Sequence, residues 1–202
     1  MSLKVDEAIQ ATNQVVRGGD VALARRIVDG DDEIDAMLVS LTERCYDLLV
    51  RQAPVAGDLR FIVSVLRILI DLERAGDLCL RVVKLVEHQP LIASYGRTFA
   101  ILLTMGEEAE QLFRAATQAW SAQDLQLART LEDRDDVMDA DYAQLTAGVL
   151  EMDGPEAVNA AIQTVAVGRA FERMADHAVT IAERIRYMLT GDTGWLSKEV
   201  GP

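Results

Sequence analysis

This chain of 202 residues contains few aromatic residues, prolines and cysteines. Each scarcity limits the folds and the cellular environments that the sequence is compatible with. Aromatics make up 5 % of the sequence, so the core must be built from Leu, Val, Ile, Ala and Met, which pack helix against helix. With four prolines, breaks in the helical pattern are few. The two cysteines, Cys45 and Cys79, have no CxxC spacing, which predicts buried thiols in a reducing cytosol.

The sequence also lacks an excess of basic residues and a long apolar run. Its net charge is −13, whereas a nucleic-acid-binding protein of this size is usually basic because it must neutralise phosphates. The longest apolar run, residues 59–72, contains three charged residues and is shorter than the roughly 20 apolar residues that cross a bilayer. The start, MSLKVDEAIQ, has no signal-peptide pattern. We therefore expect a cytoplasmic protein with no membrane span and no nucleic-acid ligand.

Helical periodicity is the dominant pattern that is present. Apolar residues between Ile34 and Leu49 recur at three- and four-residue steps and form one stripe. No alternating run bounded by hairpin turns indicates a strand, so the predicted fold class is all-α. The predicted helices span about 3–17, 20–52, 56–88, 91–121, 124–152 and 155–190.

Three helix starts carry capping signals. Asp20, after two glycines, is the expected N-cap of the second helix, and Asp58 that of the third. The last helix is expected to begin at Pro155, with Asp153 or Gly154 as its cap.

The first half of the sequence recurs in the second half. DVALARRIVDGDDEIDAMLVSL (20–41) aligns without a gap with DLQLARTLEDRDDVMDADYAQL (124–145), at an offset of 104 residues. LERAGD (72–77) aligns with FERMAD (171–176), at an offset of 99 residues. Helical amphipathicity alone would repeat the leucines, but it would not repeat the acids and the arginine. The chain therefore contains an internal repeat of three helices.

This repeat predicts two tandem three-helix bundles packed side by side. The predicted units are residues 1–90, residues 91–190 and a flexible tail at 191–202. Met1 aligns with Met105, so the first helix lacks a counterpart of residues 91–104. We expect this to leave apolar surface of the second and third helices uncovered, which a homodimer or a partner helix could cover.

Acidic pairs four residues apart are set into the apolar stripes of both repeats. Glu73 and Asp77 lie one helical turn, about 5.4 Å, apart on a face that is otherwise apolar. Like charges left unpaired there would be destabilising or would be protonated, so we expect a positive group to meet them. The full candidate set is Asp31, Asp35, Glu73 and Asp77 in the first repeat and Asp135, Asp139, Glu172 and Asp176 in the second.

Two explanations of these acids remain open at this point. Carboxylates from adjacent helices suit a hard or borderline cation such as Mg²⁺, Mn²⁺, Ca²⁺ or iron, and they do not suit a soft metal. Alternatively, the acids form structural ion pairs with basic residues. The candidate partners for such pairs are Arg74, Arg173, Arg25, Arg129 or a lysine.

The two histidines do not fit a catalytic or di-iron site. A ferritin-like di-iron centre needs two Glu-x-x-His motifs, and neither His88 nor His177 has that spacing. His177 follows Asp176 and could be a ligand or a phosphorylation site, but it is more typical of a packing or surface histidine. No nucleophile–base arrangement and no phosphate-binding glycine loop is present, so we expect a protein that is not an enzyme.

The segment RQAPVAGDLRFIVSVLRILI followed by DLERAGD, the segment DGDDEID and the doubled ERxxD motif resemble the PhoU family of phosphate-uptake regulators over nearly the whole chain. The resemblance implies two three-helix bundles with multinuclear iron or zinc sites on the eight acids given above. It also implies a cytoplasmic negative regulator of phosphate uptake and of the phosphate-starvation response. Its partners would be the phosphate ABC transporter ATPase, PstB-like, and a sensor histidine kinase, PhoR-like.

Residues and resemblance together predict a metal-binding adaptor, in which cations neutralise the acids and a fixed acidic surface docks a basic face of either partner. Two alternatives remain. One is a metal-dependent phosphohydrolase that uses a carboxylate cluster, although no basic group is placed among the acids to bind phosphate. The other is a helical scaffold that binds no metal.

Overall fold

A computed structural model describes residues 1–194, and within that range it contains seven α-helices and no strand. The predicted all-α fold is therefore confirmed. The helices are α1 (Ser2–Gly18), α2 (Val21–Gln52), α3 (Ala56–Val83), α4 (Gln89–Ser94), α5 (Gly96–Ala122), α6 (Leu125–Leu150) and α7 (Ala157–Thr190). Most of the tail predicted to be flexible, from residue 195 onward, lies outside the described residues.

The long helices form two three-helix bundles, as the repeat predicts. The first bundle packs α1, α2 and α3 together, and the second packs α5, α6 and α7. The central contact between the bundles joins α3 to α7, which run antiparallel because Arg60 lies beside Gly191 while Asp71 contacts His177. One apolar core runs through both bundles, and its largest fully buried side chains include Phe113 and Phe171.

A second contact between the bundles joins α1 to α5. The Asn13 amide donates to the Gly106 carbonyl at 2.8 Å and to Glu110 at 2.9 Å. Arg17 forms an ion pair with Glu107 at 2.6 Å. The first helices of the two repeats therefore pack on each other, as the third helices do, which places the two bundles side by side.

The connection between the bundles differs from the prediction. The third helix ends at Val83 rather than near residue 88, and a single 3-10 turn, Val86–His88, leads into α4. The predicted helix at 91–121 is interrupted at Tyr95, whose φ of −96° and ψ of 70° are not helical. The Gln89 side-chain amide donates to the carbonyls of Val16 and Arg17 at the end of α1. Tertiary contacts with α1 therefore shape a segment that periodicity alone treats as helix.

Asp20 is the N-cap of α2 as predicted, because its side chain accepts a hydrogen bond from the Leu23 amide at 2.9 Å. The prediction for Asp58 is wrong, since Val55 is the N-cap of α3 and Asp58 lies inside the first turn. A carboxylate there still favours the helix N-terminus through the helix dipole.

The predicted start of the last helix at Pro155 is also wrong, because α7 begins at Ala157. Asp153 accepts a hydrogen bond from the Gly154 amide at 2.7 Å, and Gly154 has a φ of 111°. Asp153 therefore stabilises the turn before α7 rather than capping that helix.

Apolar side chains are exposed at one end of the first bundle. The large apolar side chains exposed on α2 and α3 near this end are Tyr46, Leu48, Val50, Leu59, Phe61 and Val63. Cys45 and Cys79 are buried free thiols, in agreement with the prediction. No helix within residues 1–194 is long and apolar enough to cross a membrane.

Candidate functional site

The fold assembles the eight predicted acids into two clusters, one in each bundle. The first cluster consists of Asp31 and Asp35 on α2 and Glu73 and Asp77 on α3. The second cluster consists of Asp135 and Asp139 on α6 and Glu172 and Asp176 on α7. Within each cluster the carboxylates lie close enough for their charges to raise one another's pKa values.

The first cluster is partly open to solvent and has a basic neighbour. Burial raises the pKa of Glu73, and the Asp77 charge raises it further, while Arg74 opposes both effects. Arg74 Nε lies 3.5 Å from Glu73, and its Nη1 lies 3.7 Å from Asp77. Burial also raises the pKa of Asp31, followed by the charges of Asp35 and Asp77. Because the Arg74 contacts are long, they compensate the charges of Glu73 and Asp77 only in part.

The second cluster is more deeply buried. Glu172 is 7 % exposed, which is unusual for a carboxylate. Burial and then the charges of Asp176, Asp139 and Glu172 raise the pKa of Asp135 to about 7. Asp135 therefore binds a proton well above the pH at which an ordinary aspartate is ionised.

Two carboxylate oxygens of the second cluster are buried without a hydrogen-bond partner among the described residues. They are Asp135 Oδ1 and Glu172 Oε2. The other oxygen of Glu172 accepts a hydrogen bond from Arg169. Because a buried carboxylate oxygen without a partner is costly, this cluster attracts either protons or a cation.

The chemistry of the donors fits a hard cation, but their arrangement is not that of a formed metal site. Among residues 1–194, no group of three or more acidic, histidine or cysteine side chains converges closely enough to hold an ion. The acids thus influence one another electrostatically without sharing a coordination sphere. The eight residues stay a predicted set of metal ligands. Of the two clusters, the second has the less complete compensation of its negative charge.

The structure also shows which basic residues meet the acids. Arg74 does so in the first cluster, as one of the two explanations above expects. In the second cluster Arg173 lowers the pKa of Glu172, but the direct partner of Glu172 is Arg169, which the sequence analysis missed. Its position three residues before Glu172 was a usable signal, because residues three apart meet on a helix surface.

Arg25 and Arg129 form no ion pair with any described residue. Of the alternative partners named above, Arg74 and Arg173 therefore act on the acids, and so does a lysine, Lys84, which lowers the pKa of Asp31 against the larger effect of burial. Arg25 and Arg129 each lie near the start of their helix, before the acids of α2 or α6. The arginines that do meet the acids come from α3 and α7 instead, the helices that also carry one acidic pair of each cluster.

His177 contributes to packing between the bundles. Its Nδ1 lies 3.1 Å from Asp71 Oδ1, so it joins α7 to α3. Both side chains are mostly buried, at 18 % and 14 % exposure. This contact supports the interpretation of His177 as a packing residue, and sequence reasoning did not identify Asp71 as its partner.

Comparison with known families gives an independent result. The PhoU domain model matches residues 1–86 and 102–185. The chain is 31 % identical over 185 residues to phosphate-specific transport system accessory protein PhoU homolog 2 of Mycobacterium tuberculosis, covering 91 % of this chain and 87 % of that protein. It is 32 % identical over 188 residues to PhoU homolog 1 of the same species, covering 91 % of this chain and 84 % of that protein.

Solved structures have the same architecture. The crystal structure of PhoU from Pseudomonas aeruginosa matches with a TM-score of 0.90 and 27 % identity, covering 95 % of this chain and 93 % of that one. The structure of PhoU from Streptococcus pneumoniae matches with a TM-score of 0.82 and 23 % identity, covering 95 % of this chain and 90 % of that one. The latter likeness concerns the fold alone.

Proposed function

The chain belongs to the PhoU family, and on this premise we propose that it is a cytoplasmic, metal-binding negative regulator of phosphate uptake and of the phosphate-starvation response. A regulatory role in phosphate transport follows from the family itself. The relatives are named as accessory proteins of phosphate-specific transport, which supports the prediction of a non-catalytic protein.

The metal-binding part of the proposal rests mainly on one observation. Asp135 Oδ1 and Glu172 Oε2, in a group of four carboxylates, are buried and have no hydrogen-bond partner among residues 1–194. Arg169 satisfies only one oxygen of this group directly, so charge compensation is incomplete. The same four positions recur in the first bundle, and this recurrence supports a common function for the two clusters.

A bound cation would neutralise the carboxylates and hold the acidic faces of two helices in one arrangement. In the second cluster these helices are α6 and α7, with Asp135 and Glu172 as the inner ligands and Asp139 and Asp176 as the exposed ones. Oxygen donors of this kind suit Mg²⁺, Mn²⁺, Ca²⁺, iron or zinc. Small rotations of the exposed side chains would bring them toward the ion.

We propose that the acidic surface held in this way docks the ATPase of a phosphate ABC transporter and a sensor histidine kinase. The first partner is supported by the relatives, which are named as accessory proteins of the phosphate-specific transport system. The net charge of −13 favours a partner with a basic face, and such complementarity raises the rate of association.

Metal binding is tested by elemental analysis of the purified protein before and after chelation, followed by thermal unfolding with added Mn²⁺, Mg²⁺, Fe²⁺ or Zn²⁺. We expect at least one of these ions to raise the melting temperature of the native chain. The double variant Asp135→Asn/Glu172→Gln should lose much of that increase. The matched control, Asp133→Asn/Glu43→Gln, changes the same number of charges at exposed positions and should retain it.

The adaptor role is tested by a pull-down with the transporter ATPase and with the kinase, each with and without the stabilising ion. Binding that depends on the ion, and that falls in the Asp135→Asn/Glu172→Gln variant, is expected. Full binding by the metal-free protein and by this variant would leave a helical scaffold that needs no metal.

A further inference from the structure

Arg169 is a cation that the chain itself supplies to the second acidic cluster. It lies on α7, and its guanidinium donates a hydrogen bond to one oxygen of Glu172, three residues further along the same helix. The side chain of Arg169 is 53 % exposed, whereas that of Glu172 is 10 % exposed. The guanidinium therefore reaches the buried carboxylate from the solvent side of the cluster.

Tyr142 of α6 holds the guanidinium in this position. Arg169 Cζ lies over the Tyr142 ring, 5.9 Å from its centre, which is within the range of a cation–π contact. A Cβ on Gly168 would lie 3.6 Å from Tyr142 Cδ2, so the ring lies against α7 beside Arg169. Arg169 is thus placed between a ring on the neighbouring helix and a carboxylate on its own helix.

The first cluster has no equivalent of this arrangement. At the offsets of 104 and 99 residues, the first bundle has aliphatic side chains instead, namely Leu38 for Tyr142, Leu69 for Gly168 and Ile70 for Arg169. The arginine that both repeats contain is Arg74 in the first and Arg173 in the second. The acids are therefore duplicated, while the ring and the second arginine belong to the second cluster alone.

Arg169 compensates the acids of the second cluster more strongly than the repeated arginine does. Burial raises the pKa of Asp176, and Arg169 is the largest of the charges that oppose this effect, ahead of Arg173. Burial and then the Asp176 charge raise the pKa of Glu172, and Arg169 again opposes them more than Arg173 does. A divalent cation at the same carboxylates would be repelled by the guanidinium charge.

Glu172 nevertheless keeps the capacity to bind an ion. It is 7 % exposed, and its Oε2 is buried with no hydrogen-bond partner within residues 1–194. The same holds for Asp135 Oδ1. Because carboxylates bind hard cations through one oxygen or both, an ion that uses both oxygens of Glu172 has to displace Arg169.

We propose that Arg169 is an internal competitor for divalent cations, which lowers the affinity of the second cluster until an ion displaces the guanidinium from Glu172. This inference rests on the metal-binding function proposed above. It makes the two clusters unequal, because Arg74 makes only long contacts with the acids of the first cluster. Arg169 thereby sets the ion concentration at which the second cluster is filled.

Titration of the full chain with Mn²⁺ tests the competition, with free Mn²⁺ measured by its EPR signal. The second cluster is measured on a background of Asp31→Asn/Glu73→Gln, which removes two predicted ligands of the first. On this background Arg169→Ile, which installs the residue of the first bundle, should bind Mn²⁺ about tenfold more tightly, since one positive charge near a dication has an effect of that order even when water screens it.

Arg173→Ile is the matched control, because it removes the same charge from the same helix. Arg173 acts on Glu172 and Asp176 through its charge, and within the part of the chain that the structure describes it forms no ion pair with them. This variant should increase the affinity by less than about threefold, because no direct partner of Glu172 is removed.

Ile70→Arg transfers the competitor to the first cluster, and it keeps the test open if Arg169→Ile does not fold. Ile70 is 53 % exposed and lies three residues before Glu73, as Arg169 does before Glu172. With the second cluster disabled by Asp135→Asn/Glu172→Gln, this change should weaken Mn²⁺ binding severalfold.

Unchanged or weaker Mn²⁺ binding by Arg169→Ile would overturn the proposal, because the arginine would then hold Glu172 in place for the ion. Equal gains in Arg169→Ile and Arg173→Ile would also overturn it, since the direct contact would then have no effect of its own. In both cases Mn²⁺ still binds, and the metal-binding function stands. Absence of Mn²⁺ binding from the native chain and from every variant would instead reject that function, and this inference with it.

Discussion

The two bundles share a sequence pattern and differ in how fully that pattern is buried. Glu73 in the first bundle has a side chain that is 22 % exposed, and its equivalent Glu172 in the second is 10 % exposed. Both glutamates have raised pKa values with burial as the main cause, but the second cluster alone carries buried oxygens without partners among the described residues. A repeated motif therefore sets the positions of charges, while the surrounding helices set their energies.

The packing of α5 shows the same contrast at the ends of the bundles. In the second bundle Gly148 and Gly168 let α5 approach closely, and Thr98 and Leu102 fill the space. At the offsets of 104 and 99 residues the first bundle has Arg44 and Leu69 instead, and an open apolar groove between α2 and α3 lies beside them. Duplicated helices can thus yield surfaces that are packed to different degrees.

The largest expected effect comes from truncating Leu102, an α5 side chain that is buried in the second bundle. Leu102→Ala should lower the free energy of unfolding by about 2–5 kcal/mol, because it leaves a cavity at a fully buried site. Leu48→Ala, in the open groove of the first bundle, should lower it by less than ~1 kcal/mol, since that side chain is already partly exposed. Urea denaturation measures both, and similar losses would show that the two surfaces are equally packed.

Adding a methyl group at Gly168, which packs against Leu145, should have the next largest effect. A Cβ at Gly168 would lie 2.2 Å from a Leu145 methyl group, so Gly168→Ala should destabilise the protein by about 1–3 kcal/mol despite its better helix propensity. Gly30→Ala serves as the control, because a Cβ there meets nothing within 4 Å. It should raise the free energy of unfolding by up to ~1 kcal/mol. Urea denaturation measures the free energy of unfolding of both variants, and changes of the same sign would contradict the prediction.

The pH dependence distinguishes the two clusters. Asp135 has a pKa of about 7 in the native protein, whereas an aspartate in the unfolded chain has the ordinary pKa of 3.8. Its contribution to stability is therefore present at low pH and is lost as pH rises through that window. In the presence of a chelator, Asp135→Asn should stabilise the protein by about 1–2 kcal/mol more at pH 8 than at pH 5.

Asp31→Asn is the matched change in the first cluster. The pKa of Asp31 is raised in the same direction by burial and by Asp35, so the sign of the effect should be the same. We expect a smaller difference between the two pH values, measured by thermal and urea unfolding. A larger difference for Asp31→Asn would mean that its surroundings raise the pKa of Asp31 more than those of the second cluster raise the pKa of Asp135.

The smallest expected effect concerns the arginines. Arg169→Gln removes the direct partner of the buried Glu172 and should lower the free energy of unfolding by about 1 kcal/mol in metal-free protein. Arg74→Gln removes long, exposed contacts and should change it by less than ~0.5 kcal/mol. Unfolding at neutral pH with a chelator measures both. Equal losses would indicate that the two arginines compensate their acids to the same extent.

Much of the fold could be predicted because helical periodicity and caps are local properties. The stripe around Ile34 and the cap at Asp20 are examples. The break at Tyr95 could not be predicted, since it accompanies the docking of Gln89 on α1, more than 70 residues away in sequence. The same holds for the contact between Asp71 and His177.

The residues of the candidate site could also be predicted in part from the sequence. Repetition identified all eight acids, and helix geometry placed each pair on one face. Arg169 could not be recognised from the repeat, because its counterpart at the offset of 99 residues is Ile70. Arg25 and Arg129 are repeated, but they form no ion pair with the acids. The depth of Glu172 was not predictable, because burial depends on what packs over a residue.

The sequence by itself determined the helices, their duplication and the placement of four carboxylates in each copy, because these follow from spacing along the chain. Only the tertiary structure decided that the second set lies deeper, that two of its oxygens have no partner within residues 1–194, and that α2 and α3 leave an apolar groove between them. The physical reason is that burial and charge compensation depend on neighbours from distant segments, and these come together only when the bundles pack.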